Sequence, residues 1–285
     1  MFVWSKRAAA TSLEVWEHRF QGVEESHFII SGTPSQPTVQ LEVYCQTQKE
    51  AQTIRQQWGG SVKRLKMQNW AALAPPPPGP VKIRDRFVIV AQREEKDLEK
   101  LKKQFPGREL ISVPPDMAFG TGHHATTSTV LRFVVDLAEK WERESRSWTL
   151  LDLGCGSAIL GIAARKLGAE SVWGCDFDAQ AIRVARENAV ANRTDGLALE
   201  VADVLKWKPK IRYDLVIANI FADILNSIFP KLVRSVKRDG VVMISGILHT
   251  QAAECLAAGR AAGLEFDRVV KRGRWLSAQG RLKRE

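Results

Sequence analysis

The chain has 285 residues, a net charge of +10 and 45% hydrophobic residues, enough apolar material for one large core and a smaller second one. No apolar run approaches the roughly 20 residues of a membrane helix, and the amino terminus lacks the apolar block of a secretory signal, so a soluble, cytoplasmic protein with no membrane partner is expected. Four cysteines, Cys45, Cys155, Cys175 and Cys255, lie in apolar patterns without a CxxC pair, which excludes a disulfide scaffold and predicts reduced core thiols.

In chain order, residues 1–70 predict a small α+β unit. SLEVWEHRF and VQLEVYCQT carry apolar residues at strand spacing, KEAQTIRQQWG has helical spacing that stops at Gly59 and Gly60, and SVKRLKM supplies a further strand. Residues 71–85 predict a linker, because Pro75, Pro76, Pro77, Pro78 and Pro80 favour an extended, semi-rigid chain that donates no ladder hydrogen bonds. The third region is 86–285. There RFVIVAQ predicts a strand, and EEKDLEKLKKQF predicts a helix with a solvated Lys/Glu face, broken by Pro106 and Gly107. Then follow helix TSTVLRFVVDLAEKW, strand LLDLG, helix ILGIAARKLG, strand SVWGCD, helix AQAIRVARENAVAN, strands ALEVAD and YDLVIAN, helix ADILNSIFPKLVRSV and strand GVVMISGI. Such alternation predicts an α/β fold, with a mostly parallel sheet covered by helices on both faces. Ligands then sit at the carboxyl ends of the strands, where Gly154, Asp176, Asp203 and Asn219 all fall.

The segment LLDLGCGSAIL, Leu150–Leu160, runs a strand through a glycine turn into a helix, an architecture that receives a nucleoside cofactor. Gly154 and Gly156 lack a Cβ, so the main chain can adopt positive φ and a ligand can approach it closely. Asp176 follows Gly154 by 22 positions at the end of a second strand, where a carboxylate accepts ribose hydroxyls. Asp178 is the better candidate for capping the helix that follows. Three features oppose a nicotinamide cofactor: Asp152 before the glycine, the GCGS turn, and the later strand ending in Asn219. They fit a methyltransferase that uses S-adenosylmethionine. Asp203, after ALEVA, has two readings: an acceptor for the adenine amine, or a turn residue. Phe177 likewise either packs on the adenine face or fills the core.

AFGTGHHATT (Ala118–Thr127), LLDLGCGSAILGIAARKLGA, GCDFDAQAIRVARENAVAN, DLVIANIFADIL and MISGIL follow one another over roughly residues 115–250. In that order they resemble the bacterial ribosomal protein methyltransferase A family, whose named activity is methylation of ribosomal protein L-eleven. The resemblance implies a Rossmann-like class I methyltransferase sheet preceded by a small ferredoxin-like domain that recognises the protein substrate. It also implies that Thr127 contacts the cofactor and that the loop with Gly120 and Thr121 closes over the cofactor's methionine end. The chain departs from the family's usual GTGTHPTT and GCGSGIL at His123, Ala125 and Ala158. Ala158 is expected to need only ordinary helical φ.

Asn219 is the predicted substrate-orienting residue. Methyl transfer is an in-line displacement, so alignment is the enzyme's main task. The side-chain carbonyl of Asn219, with the main-chain carbonyl of Ile220, would accept the hydrogens of an amine and aim its lone pair. Enzymes that methylate nucleobases or glutamine amides follow this position with Pro-Pro and an aromatic residue, whereas Ile220 and Phe221 follow here, which suits a flexible lysine or N-terminal amine. An RNA or glutamine-amide methyltransferase and a non-catalytic cofactor-binding protein remain the rival readings. His123 and His124 are adjacent, with no ligand partner at a recognisable spacing, so no metal is expected. The basic residues that close the chain, Arg268 to Arg284, have two readings: a solvated surface, or proximity to the ribosome or RNA. Oligomeric state is not legible in the sequence.

Overall fold

The computed structural model describes residues 2–9, 12, 16, 27–31, 37–45, 47–64, 79–114 and 122–283. The chain divides into two compact units, Met1–Pro76 and Pro77–Glu285.

In the first unit, strands β1 (Phe2–Ala9), β2 (His27–Ser31), β3 (Thr38–Cys45) and β4 (Ser61–Arg64) form a sheet in the order β2-β3-β1-β4. Every neighbouring pair is antiparallel. Period-two alternation turns Val39, Leu41, Val43 and Cys45 of β3 inward, onto Trp4 and Ala51. Helix α1 (Gln48–Trp58) starts from a capping box between Thr47 and Glu50 and stops at Gly59, whose φ is +70°. This strand order, with a helix between β3 and β4, is that of a small ferredoxin-like α+β unit. Most of the predicted strand SLEVWEHRF lies outside the described residues, as do Pro75–Pro78 of the predicted linker. Strands β1 and β2 were not anticipated from the sequence.

The second unit opens with β5 (Val81–Ile83), β6 (Phe87–Val90), α2 (Glu95–Gln104) and β7 (Glu109–Ser112). The strands pair as β5-β6-β7, with β6 and β7 parallel. Helix α2 buries none of its residues, in keeping with its predicted solvated face. The main body then runs α3 (Ala125–Arg143), β8 (Thr149–Leu153), α4 (Ile159–Lys166), β9 (Ser171–Asp176), α5 (Ala179–Ala191), β10 (Leu197–Val201), β11 (Tyr213–Asn219), α6 (Ala222–Ser235), β12 (Val236–Leu248), α7 (Ala252–Ala261), β13 (Leu264–Arg272) and β14 (Trp275–Leu282).

Seven of these strands form one sheet in the order β10-β9-β8-β11-β12-β14-β13. The first five run parallel, and β14 is antiparallel to both of its neighbours. Both faces are covered, as a parallel sheet requires. Leu150, Ile217 and Met243 pack with Val130 and Phe133 of α3 and Ile162 of α4, while Leu151, Val216 and Val242 pack with Leu225 and Phe229 of α6 and Cys255 of α7. Chain order reverses between β8 and β11, the switch point at which such sheets bind ligands.

The basic carboxyl-terminal stretch forms a β-hairpin, which the sequence reading did not anticipate. Arg268 bonds Asp136 at 2.9 Å and lies 4.2 Å from the Phe133 ring centroid, Arg272 donates to Ser128 Oγ at 2.7 Å, and Arg281 pairs with Asp267 at 3.4 Å. These three cations tie the edge strands together and to α3.

Candidate active site

At the end of β8 the chain turns at Gly154 (φ +74°) and Gly156 (φ +51°). The turn is fastened to β9, since the N–H groups of Gly154 and Cys155 both donate to the Cys175 carbonyl, at 2.8 and 2.9 Å. A Cβ on Gly154 would come within 2.4 Å of Ile220 Cγ2, so glycine is required there by packing as well as by φ. From behind, Asn188 of α5 donates to the Ser157 carbonyl at 3.0 Å.

Asp176, at the end of β9, accepts from the Gly156 N–H at 3.0 Å through Oδ2 and from the Asp178 N–H at 3.1 Å through Oδ1. A carboxylate has about four lone-pair positions, so capacity remains for two hydroxyls. Asp178 is the N-cap of α5, accepting from Gln180 N–H at 2.8 Å, as expected. Phe177 is 79% exposed, which removes the core reading and leaves its ring open beside Asp176. Asp203 accepts from Leu205 N–H at 2.9 Å, the turn arrangement that the sequence reading set beside a cofactor role. Gly120 and Thr121 lie outside the described residues.

One expectation needs correction. Ala158 does not adopt ordinary helical φ: it is the N-cap of α4, at φ +60° and ψ +19°, a left-handed position that costs a Cβ-bearing residue about 1–2 kcal/mol. Glycine, the family's usual residue there, avoids that cost. Helix α3 begins at Ala125, two residues before the predicted TSTVLRFVVDLAEKW, so Thr126 and Thr127 both lie in its first turn, buried. His124 is the cap, its Nδ1 lying 2.7 Å from Thr126 Oγ1 and its ring centroid 5.0 Å from that of Trp275. Burial, and then the nearby Arg274, hold the His124 imidazole below the usual histidine range, so near neutral pH Nδ1 is unprotonated and accepts from the Thr126 N–H. His123 is turned elsewhere, with Nε2 2.9 Å from the Gly79 carbonyl oxygen.

Asn219 ends β11 and donates through Nδ2 to Thr127 Oγ1 at 3.4 Å; two residues distant in sequence are thus joined at the switch point. Its Oδ1 is buried and has no hydrogen-bond partner among the described residues. Both carboxylate oxygens of Asp152 are in the same condition. Asp152 is opposite Ile217 in the β8–β11 register, so Asn219, two residues farther along, lies on the same face of the sheet. Three orphan acceptors therefore gather on the α3 side of the carboxyl edge. Acceptors without donors suit a cationic, N–H-bearing guest. Sequence reasoning used Asp152 only to set aside a nicotinamide; the signal it missed was an acid placed among Leu150, Leu151 and Leu153 of one strand.

The family profile described as ribosomal protein L11 methyltransferase (PrmA) matches residues 9–283. The chain belongs to the ribosomal protein L11 methyltransferase family. Among its relatives, the ribosomal protein L11 methyltransferase of Pelotomaculum thermopropionicum is 35% identical over 223 residues, which cover 78% of this chain and 68% of that protein. The one from Mannheimia succiniciproducens is 40% identical over 186 residues, 62% of this chain and 58% of that protein. A crystal structure of ribosomal protein L11 methylase from Lactobacillus delbrueckii subsp. bulgaricus superimposes with a TM-score of 0.61 at 30% identity, over 72% of this chain and 99% of that one. The match to that L11 methylase accords with the Rossmann-like class I methyltransferase fold that the motifs implied.

Proposed function

We propose that the chain transfers a methyl group from S-adenosylmethionine to lysine side-chain amines, N-terminal amines, or both, of ribosomal protein L11. The observation that carries the reading is Asn219: a buried amide oxygen with no partner among the described residues, held by Thr127, at the switch point of a sheet built for a nucleoside cofactor. When bound, the cofactor supplies a methyl group made electrophilic by its sulfonium. Gly154 and Gly156 expose main chain to it, Asp176 accepts ribose hydroxyls, Phe177 covers the adenine, and Asp203 is the further candidate at the adenine end. Thr127 fixes the Asn219 amide.

Asn219 Oδ1 and the Ile220 carbonyl accept the hydrogens of the acceptor amine and so point its lone pair. Presenting a neutral lysine amine at pH 7 costs about 4.6 kcal/mol, against roughly 7–11 kcal/mol available from positioning. No metal is called upon. The ferredoxin-like unit serves to recognise the protein substrate, and the cytoplasm, where ribosomes are built, is the proposed location. Among the described residues, no helix is long and apolar enough to cross a membrane. Proximity to ribosome or RNA follows from the substrate rather than from the basic hairpin, whose Arg268, Arg272 and Arg281 already have protein partners.

The test is intact-mass spectrometry of ribosome-free L11 incubated with enzyme and S-adenosylmethionine, beside purified ribosomal RNA with a labelled methyl donor. Mass steps of one methyl on the protein and no label on RNA are expected; the reverse would sink the reading. Asn219→Ala should lower turnover by about 100-fold or more while calorimetry shows S-adenosylhomocysteine binding largely intact. Unchanged turnover would remove Asn219 from its assigned role.

A further inference from the structure

Among the described residues, the large exposed hydrophobic side chains include two phenylalanines, Phe177 and Phe221. Both stand at the carboxyl edge of the sheet, directly after β9 and two residues after Asn219 respectively. Phe177 is accounted for by the adenine; Phe221, 69% exposed, is not.

Local stability gives no reason for a phenylalanine at this position. Phe221 is the N-cap of α6 and makes no side-chain capping bond, where Ser, Thr, Asp or Asn would contribute about 1 kcal/mol. An exposed ring also gains little from burial. A residue that breaks two local rules without compensation marks a place where function sets the choice.

The backbone that carries the ring is nonetheless held at a defined place. Its neighbour Ile220 is wedged between two glycines: a Cβ on Gly154 would come within 2.4 Å of Ile220 Cγ2, and one on Gly246 within 2.4 Å of the Ile220 carbonyl oxygen. On the other side, the Phe221 carbonyl accepts the first helical bond, from Leu225 N–H at 3.0 Å. The backbone is clamped at both ends while the side chain stands in solvent, next to the residue proposed to orient the acceptor amine.

We propose that Phe221 grips the methylene stem of a lysine acceptor and so determines selection of side-chain amines over N-terminal α-amines; the inference rests on the amine-methyltransferase reading above. An aromatic face takes both parts of a lysine, the apolar stem by contact and the charged or methylated head by cation–π attraction. An N-terminal α-amine has no such stem, so the same ring gives it less. Phe221 would thus act on binding of the acceptor, with alignment left to Asn219.

The experiment uses the full chain, as wild type, Phe221→Ala and Phe221→Tyr, with two peptide acceptors in competition. One has a single lysine and an acetylated N-terminus; the other has a free N-terminus and no lysine. In Phe221→Ala the ratio of kcat/KM for the lysine peptide to that for the α-amine peptide should fall about 10-fold, chiefly through KM, and Phe221→Tyr should restore it. An unchanged ratio, or a uniform loss on both peptides, overturns the proposal. If Phe221→Ala does not fold, Phe221→Leu replaces it, with the ratio expected between the two extremes and an unchanged ratio again counting against the ring. Absence of transfer by the wild type to any amine, those of intact L11 included, overturns the functional reading and this inference with it, whereas a wild type active on L11 but on neither peptide, or with an indifferent Phe221, overturns only the inference.

Discussion

Asp152 shows how one residue's environment rewrites its chemistry. Its position in a strand that is buried on both faces leaves both oxygens without donors among the described residues, and burial, then the neighbouring Asp176 carboxylate, pushes it from 3.8 up to about 7. A carboxyl group whose folded pKa is raised binds more protons folded than unfolded, so the stability it contributes is full below pH 3.8 and drains away as pH climbs to about 7. Between pH 5 and pH 8 the empty wild-type protein should lose about 2–3 kcal/mol that Asp152→Asn does not lose. Urea unfolding of both proteins at the two pH values reads this directly; parallel losses would show that Asp152 is ionised in the fold. His124 runs the other way. Its depressed pKa gives stability that is full above the ordinary histidine range and lost as pH falls, because protonation removes the Nδ1 acceptor that caps α3. Ala158 is the opposite case from both, a neutral residue whose left-handed φ is invisible in composition and in hydrophobic pattern.

At the scale of elements, the site is a set of strand ends fixed to one another by close backbone approach. Asn219 is paired with Ser245 in the β11–β12 register, and Gly246, at φ +86°, takes the Ile220 main chain against it. Gly246→Ala would place a Cβ 2.4 Å from the Ile220 carbonyl oxygen, where only main-chain movement relieves the clash. It should cost about 3 kcal/mol and lower turnover by about 100-fold, seen together in thermal unfolding and in methyl transfer. A variant as stable and as active as the wild type would show that Ile220 is not held as described. The base of the same strands is secured differently: Asp214 of β11 accepts from Thr149 N–H at 2.9 Å and bonds Arg146 at 2.9 Å and Lys237 at 2.8 Å. These partners, with burial opposing them, hold its carboxyl below the usual range. Strands β8, β9 and β11 were legible because each is an apolar run bounded by a turn. The hairpin of β13 and β14 was not, since its register shifts between Phe266 and Arg268 and breaks the period-two pattern, and its arginines read as surface until their partners on α3 are known.

At the scale of the whole molecule, each of the two units carries its own core, around Trp4 and Leu41 in the first and on both faces of the seven-stranded sheet in the second. The proposed division of labour assigns the cofactor to the second unit and substrate recognition to the first. Residues 77–285 alone should therefore fold and bind S-adenosylhomocysteine as the full chain does, measured by calorimetry, yet transfer far less methyl to L11. A fragment as active on L11 as the full chain would end that assignment.

The sequence by itself determined the alternation of strands and helices, the glycine turn, the acid at the end of β9 and the asparagine at the end of β11, because periodicity and turn chemistry act over a few neighbouring residues. Tertiary structure alone decided that Asn219 meets Thr127, that Asp152 is a buried acid without donors among the described residues, that Ala158 is left-handed and that Phe221 stands exposed on a clamped backbone. Each of those properties depends on what strands distant in the chain bring within a few ångströms, and burial, pKa and strain follow from that proximity rather than from residue type.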